Sequence, residues 1–355
     1  MTRPLVANID WHALRSNIHL AKQKVDQGSI MAVVKANAYG HGIKDVIDAF
    51  DGIDAFAVSS IDEAVSLREA TGKPIVLLEG PFSRAEVDVI AGQQFSPVLH
   101  SHEQVEWMLG SPARTTRVWI KLDTGMNRLG FSGDEAEHTI ARLEAAGVEV
   151  TGVMSHLSNA DTPTDPFTAE QYDRFRKLAI AGKHVSISNS AGILRGMSLF
   201  REYIRPGIML YGVSPFATTS APEIGLKPVM NLTSELIAVR ECLPGQRIGY
   251  GNETICTSQM RVGVIACGYA DGYPRQARPG TPVVVDGRRA ALIGRVCMDM
   301  LLVDITDIPH AGVGSPVVLW GKELPVERVA ACASTIANDL LSGITSRVPR
   351  NVLKH

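Results

Sequence analysis

With 355 residues the chain is long enough for two domains, and its 45% hydrophobic and 20% charged residues are those of a folded globular protein. A formal net charge of −2, with no long basic block, gives no electrostatic case for a nucleic-acid or anionic-membrane partner. No apolar run reaches the roughly 18–20 residues of a membrane span, and Met1 to Asp10 carries no secretory pattern. The cysteines, at Cys242, Cys256, Cys267, Cys297 and Cys332, are odd in number and lack C-x-x-C spacing. They read as reduced thiols of a cytoplasmic protein, not as a disulfide frame or a metal site.

From about residue 12 to residue 225, short β-branched runs alternate with longer amphipathic stretches. Strands are predicted at Ile30–Lys35, Ala55–Ser59, Pro74–Leu78, Ser96–His100, Arg117–Asp123, Val148–Ser155, His184–Ser188 and Tyr203–Leu210. Helical patterns lie between them, among them Ile61–Ala70, Ser101–Leu109, Ser132–Ala146 and Thr168–Ala181. Eight such repeats imply a closed (β/α)8 barrel over residues 11–225 in place of an open doubly wound sheet. The texture then changes to short runs broken by Gly, Pro and Asp: Val229–Val239, Arg261–Cys267, Pro282–Val285, Ala290–Ile293, Met300–Val303 and Pro316–Leu319. These predict a mostly β C-terminal domain, made of residues 226–355 together with the strand-like segment Leu5–Asp10 within residues 1–10.

In a barrel of this kind the reactive groups sit at the C-terminal ends of the strands. The first predicted strand ends at Lys35. A lysine closing an apolar strand is partly desolvated, which favours the neutral amine that condenses with a carbonyl. A solitary lysine there would ordinarily just leave the strand for solvent. Lys35, however, sits within A-V-V-K-A-N-A-Y-G-H-G, from Ala32 to Gly42. That stretch resembles the pyridoxal-phosphate signature of the alanine racemases along its whole length. The resemblance implies that Lys35 carries pyridoxal 5'-phosphate and that Tyr39 bonds its phosphate. His41 reads as structural, with Gly40 and Gly42 as turn formers.

Four further segments agree with the same family in order. K-L-D-T-G-M-N-R-L-G, from Lys121 to Gly130, resembles the K-x-D-T-G-M-x-R-x-G segment. On that reading Arg128 contacts the cofactor's phenolic oxygen and the substrate carboxylate, a task for a planar fork of donors. Lys121 matches a position where many members carry a carbamylated lysine, whose anion would fix Arg128. In the phosphate region, S-N-S-A from Ser188 precedes R-P-G-I from Arg205, on the loops after strands seven and eight. Those loops form the usual phosphate cradle of a barrel. The resemblance gives Ser190, Gly207 and Ile208 to the phosphate and Arg205 to the pyridine nitrogen, with His156 buttressing Arg205. A guanidinium has only donors, so a ring nitrogen facing it must be unprotonated and a weak electron sink, which suits a racemase.

In the β domain, G-Y-A-D-G from Gly268 reads by itself as a tight turn, and resembles the segment whose tyrosine, Tyr269, is the second catalytic base. G-R-V-C-M-D from Gly294 resembles the segment whose Met298 N–H holds the substrate carboxylate, supported by Asp299. Asp161 and Arg295 match positions at the entrance. One departure is Ser346, where many members place a tyrosine before the terminal R-V-P-R. The whole resemblance implies a racemase for alanine that supplies D-alanine for cell wall, acting as a homodimer whose sites are shared between subunits. A broad-specificity racemase is the alternative that Ser346 leaves open. A decarboxylase of the same barrel class is disfavoured by Arg205, and a non-catalytic cofactor-binding barrel by the added β domain.

Overall fold

The structure is a computed structural model that describes residues 3–25, 27–111, 117–178, 182–252 and 254–354. The chain opens with β1 (Val6–Asp10), which runs straight into the helix Trp11–Gln23, capped by the Asp10 carboxylate on the Ala13 N–H. Eight barrel strands follow: β2 (Ser29–Val33), β3 (Ala55–Val58), β4 (Ile75–Leu77), β5 (Ser96–Leu99), β6 (Arg117–Lys121), β7 (Glu149–Met154), β8 (His184–Ser186) and β9 (Tyr203–Ile204). They are parallel, in the order β8-β7-β6-β5-β4-β3-β2-β9. Helices return between them, including Ile61–Arg68, His102–Leu109, Gly133–Ala145 and Phe167–Leu178. The expected helix Thr168–Ala181 is described only to Leu178, its last three residues lying outside the described set.

Each barrel strand begins within about one residue of where the pattern places it, and all stop early, the last of them by most of its length. The strand read as Tyr203–Leu210 ends at Ile204 and resumes as a short 3-10 turn at Ile208–Tyr211. Pro206 lacks the N–H that a ladder needs, so the extended backbone cannot continue. Likewise β2 ends at Val33, two residues before Lys35. The barrel is filled by Met31, Val33, Ala55, Ala57, Val76, Val98, Trp119 and Met154, a packed core and not a channel. Gly152 makes room for this filling: a Cβ there would lie 2.5 Å from the Trp119 ring and from the His184 carbonyl oxygen.

The second half forms a mostly antiparallel sheet from β10 (Met230–Cys242), a small hairpin β11 (Arg247–Ile248) and β12 (Thr254–Ile255), then β13 (Met260–Ile265), β14 (Pro282–Val285), β15 (Arg288–Ile293), β16 (Leu301–Asp304), β17 (Pro316–Trp320) and β18 (Arg350–Leu353). The long strand β10 pairs with β17 along one stretch and with β13 along another, so six strands close into a ring. On its other side β10 pairs with β1, which in turn pairs in parallel with β18. The chain's first strand thus belongs to its last sheet. Two helices, Val326–Cys332 and Ala337–Ser342, were not anticipated from the sequence. The second packs on the loop after β2: a Cβ on Gly40 would lie 1.9 Å from the Leu341 carbonyl oxygen. No helix among the described residues is long and apolar enough to cross a membrane.

Candidate active site

The loop after β2 adopts an unusual backbone. Ala36, Asn37, Ala38 and Tyr39 have φ between 50° and 56°, a turn of left-handed helix made without glycine. Such a turn costs on the order of 1–2 kcal/mol per residue, so its surroundings must impose it. Several contacts do. Glu63 accepts the Ala36 N–H at 2.6 Å, Asn37 Oδ1 accepts the Ile43 N–H at 2.9 Å, and Arg350 Nε donates to the Gly40 carbonyl at 2.7 Å. His41 lies at the centre of this brace. Its Nδ1 faces the carbonyls of Tyr39 and Ala38 at 2.9 and 3.0 Å, and its ring stacks 4.6 Å from that of Tyr211. Carbonyls only accept, so the hydrogen sits on Nδ1. Burial pulls the imidazole down to about 4, leaving it neutral. His41 is structural, as expected. Lys35 opens the turn, half-buried at the barrel mouth.

Tyr39, carried by that turn, stacks on Tyr211 with ring centres 4.8 Å apart, and burial pushes its hydroxyl up to about 12. Its Oη lies against Gly207, where a Cβ would come within 2.7 Å. Across from it, Ser190 Oγ accepts the N–H groups of Gly207 and Met209 at 3.0 and 3.3 Å. Both lone pairs of that hydroxyl are then used, and its hydrogen remains to be donated. Tyr39, Ser190, Gly207 and the adjoining Ile208 thus converge on one spot. The helix cap there is Asn189, whose Oδ1 accepts the Gly192 N–H at 3.1 Å, so Ser190 is freed from that duty.

Arg205 follows β9 and is buried among acceptors. Its Nη2 donates to the Ser155 carbonyl at 2.5 Å and to the Ile187 carbonyl at 3.3 Å, and its Nη1 donates to Ser186 Oγ. The same Nη2 lies 3.3 Å from His156 Nδ1, which must accept from a group that only donates. His156 is accordingly neutral: burial first, then Arg205, holds it well below the ordinary histidine range. Burial lowers Arg205 itself to about 10, opposed by the nearby Glu202 carboxylate, and it stays charged at neutral pH.

Lys121 ends β6 and faces the same space. Burial is the main reason its amine sits well below the usual lysine value, and Arg205, Arg128 and Lys35 add to the effect while Asp123 opposes it. Arg128 is exposed on a loop shaped by Asp123, whose Oδ1 accepts the N–H groups of Gly125 and Asn127 at 2.9 and 3.1 Å. The barrel mouth therefore gathers Lys35, Lys121, Arg128, His156 and Arg205, an arrangement suited to anionic groups.

The remaining candidates, Asp161 apart, belong to the second half of the chain. Tyr269 begins the 3-10 turn Tyr269–Asp271 and is 36% exposed, while Met298 is 52% exposed on the neighbouring loop. Asp299 pairs with Arg347 at 2.7 Å. Among the described residues no hydrogen bond or ion pair joins Lys35, Arg128 or Arg205 to Tyr269 or Met298. Asp161 and Arg295 are both exposed, on the loop after β7 and beside Gly251 respectively. Ser346 is exposed next to Arg347.

Sequence reasoning passed over Glu202, Glu63, Arg3 and Asp271. Asp271 lies inside G-Y-A-D-G, whereas Arg3, Glu63 and Glu202 carry no local signal of their own.

A family model, "Alanine racemase, N-terminal domain", matches residues 9–215, and a second, "Alanine racemase, C-terminal domain", matches residues 229–352. The chain belongs to the alanine racemase family. It is 45% identical to the alanine racemase of Nitrosomonas eutropha, over 98% of this chain and 99% of that one. It is also 45% identical to the biosynthetic alanine racemase of Pseudomonas aeruginosa, with 98% and 99% covered. The crystal structure of a biosynthetic alanine racemase from Pseudomonas aeruginosa superposes with a TM-score of 0.95 at 44% identity, covering 99% of this chain and 100% of that one. An alanine racemase from Bartonella henselae with covalently bound pyridoxal phosphate superposes with a TM-score of 0.91 at 29% identity, covering 99% of each chain. The barrel with its appended β domain is thus the alanine racemase architecture.

Proposed function

We propose that this protein interconverts L- and D-alanine by two-base catalysis with pyridoxal 5'-phosphate. The observation that carries the reading is the convergence at one barrel mouth of Lys35, a cradle of donors and a buried arginine. Tyr39 Oη, the spare Ser190 hydroxyl hydrogen and the Ile208 N–H fit a phosphate, with Gly207 leaving room beside Tyr39 Oη for want of a Cβ. Lys35 supplies an amine for covalent attachment, and Arg205 a charged donor for the ring nitrogen. When bound, the cofactor would withdraw electrons from the substrate Cα and so acidify its proton.

The chain's own residues then have separable tasks. Arg205 offers only hydrogens, so a ring nitrogen facing it would stay unprotonated, which would favour return of a proton to Cα over side reactions. His156 fixes Arg205 from behind. Arg128 and the Met298 N–H hold the substrate carboxylate, with Lys121 and Asp299 in support. Lys35 moves the proton on the D face and Tyr269 on the L face, since inversion needs bases on opposite sides of one carbon. Asp161 and Arg295 line the entrance.

Lys35 and Tyr269 belong to different halves of the chain, residues 11–225 and residues 1–10 with 226–355. A head-to-tail homodimer, in which the Tyr269 of each subunit completes the other's site, brings the pair together. The role we assign is cytoplasmic supply of D-alanine for cell wall. Purified protein given L-alanine should lose optical activity, and borohydride should fix the cofactor on Lys35. Label on another lysine, or failure to racemise alanine while turning over other L-amino acids, would overturn the reading.

A further inference from the structure

The start of the chain reaches the loop that carries Tyr269. Arg3 donates to both carboxylate oxygens of Asp271, at 2.5 and 2.8 Å, and its Nη2 also donates to the Asp299 carbonyl at 2.7 Å. Asp271 is buried, and its Oδ2 accepts the Gly268 N–H at 2.9 Å, closing the Tyr269–Asp271 turn on itself. That turn hangs on the neighbouring loop, with the N–H groups of Tyr269 and Ala270 donating to the carbonyls of Cys297 and Met298, both at 3.0 Å. From the other end of the chain Arg347 reaches Asp299 at 2.7 Å and Asp271 at 3.5 Å. One guanidinium at the N-terminus therefore holds both loops that this half of the chain brings to the site.

The residue types fit the task. A planar fork grips a carboxylate with two parallel bonds and keeps further donors for a carbonyl, which an ammonium cannot reproduce. Within its own chain the Tyr269 ring is partly exposed, with the Arg275 guanidinium 6.0 Å from its centre. Its placement depends on the backbone turn beneath it, and small misplacements of a reacting group are costly.

We infer that Arg3 and Asp271 are a positioning pair that sets Tyr269 for proton transfer at the L face. The inference rests on the assignment of Tyr269 as the base of that face. Neither residue touches the reacting atoms.

The test uses the cofactor-loaded enzyme and its Arg3→Ala, Arg3→Lys and Tyr269→Phe variants. The equilibrium constant fixes the ratio of kcat/KM in the two directions, so no variant can lose it in one direction alone. The asymmetry must be read instead from primary isotope effects with α-deuterated L- and D-alanine. Arg3→Ala should keep the wild-type cofactor spectrum and melting curve and lose roughly 10- to 100-fold in kcat. Its isotope effect should rise for L-alanine and not for D-alanine, and added guanidinium or Arg3→Lys should recover part of the loss. If Arg3→Ala melts early, Arg3→Lys is read by the same isotope criterion. Unchanged isotope effects, or equal rises for both isomers, would overturn the positioning role. Tyr269→Phe separates the two layers. If it leaves the L-alanine isotope effect at the wild-type value, the base assignment has failed; if it raises that effect while the Arg3 variants do not, only the positioning pair is lost.

Discussion

Ser188 gives both its backbone N–H and its hydroxyl to a single carboxylate, that of Glu202, at 2.5 and 3.0 Å. The same carboxylate accepts the N–H groups of Ile187 and Leu199, each at 2.7 Å. Glu202 sits where β8 and β9 would have to pair to complete the ring, and no backbone ladder joins those strands. This side chain thus helps close the barrel seam, beside the Arg205 N–H that donates to the Ser188 carbonyl at 3.0 Å.

Glu202→Gln keeps the shape but turns one acceptor oxygen into a donor facing donors. A buried group so mismatched costs about 1–3 kcal/mol, and the positive charge of Arg205 loses its nearby counter-charge. The variant should melt several degrees below wild type and bind the cofactor more weakly. A wild-type melting curve with unchanged cofactor titration would refute this role.

Lys121 should be chemically modified. Burial lowers its amine well below the usual lysine value, which favours the neutral form that adds to carbon dioxide, forming an N–C bond and releasing a proton, and the resulting carbamate would place an anion beside Arg128. Labelled bicarbonate should give a carbamate signal in wild type that is absent from Lys121→Ala. The variant should lose activity, and acetate should restore part of it. An unmodified Lys121 in enzyme at full activity rules the idea out.

Acid should destabilise the fold through His41. Its imidazole titrates at about 4 in the folded chain because it is buried, against an ordinary value of 6.5. Between these values the unfolded chain holds a proton that the folded one lacks, so stability rises with pH there and falls on acidification. The contribution is about 3 kcal/mol, fully present above pH 6.5 and lost as the pH falls to 4. Denaturant melts of wild type and His41→Gln should converge as the pH falls from 7 to 4. Parallel curves would show that His41 is not the group responsible. His156, lowered by burial and Arg205, adds to the same slope in both proteins.

The barrel was readable, and the candidates that gather at its mouth could be named, because their signals are local. A β-branched run ending in Lys35, or an Asp–Thr–Gly turn that presents Arg128, announces itself within a few residues. The left-handed turn was not readable, since Ala36, Ala38 and Tyr39 individually disfavour the conformation that Glu63, His41 and Arg350 impose on them. The pairing of β1 with β18 and the reach of Arg3 to Asp271 join segments far apart in the chain, and no periodicity records such contacts. The helix at Val326–Cys332 did leave a signal, with Val326, Val329 and Ala330 buried on one face at helical spacing. It was masked by the short β runs around it.

The shared site can be tested by symmetry. Lys35 lies at the mouth of the barrel, whereas Tyr269 lies on a loop of the second sheet, bonded to Cys297 and held through Asp271 by Arg3. In a two-fold dimer the same two patches meet twice, so a site built across the interface takes Lys35 from one subunit and Tyr269 from the other. Lys35→Ala and Tyr269→Ala should each be inactive as pure dimers. Unfolded together and refolded in equal amounts, about half of the dimers should be mixed, if pairing is random. Each mixed dimer then holds one site with both bases and one with neither. Roughly a quarter of the wild-type activity per site should return, with no covalent repair of either chain. Were both bases drawn from one subunit, every site would still lack one of them. Mixed dimers verified by native mass spectrometry that stay at the background of the single variants would therefore place both bases in the same chain.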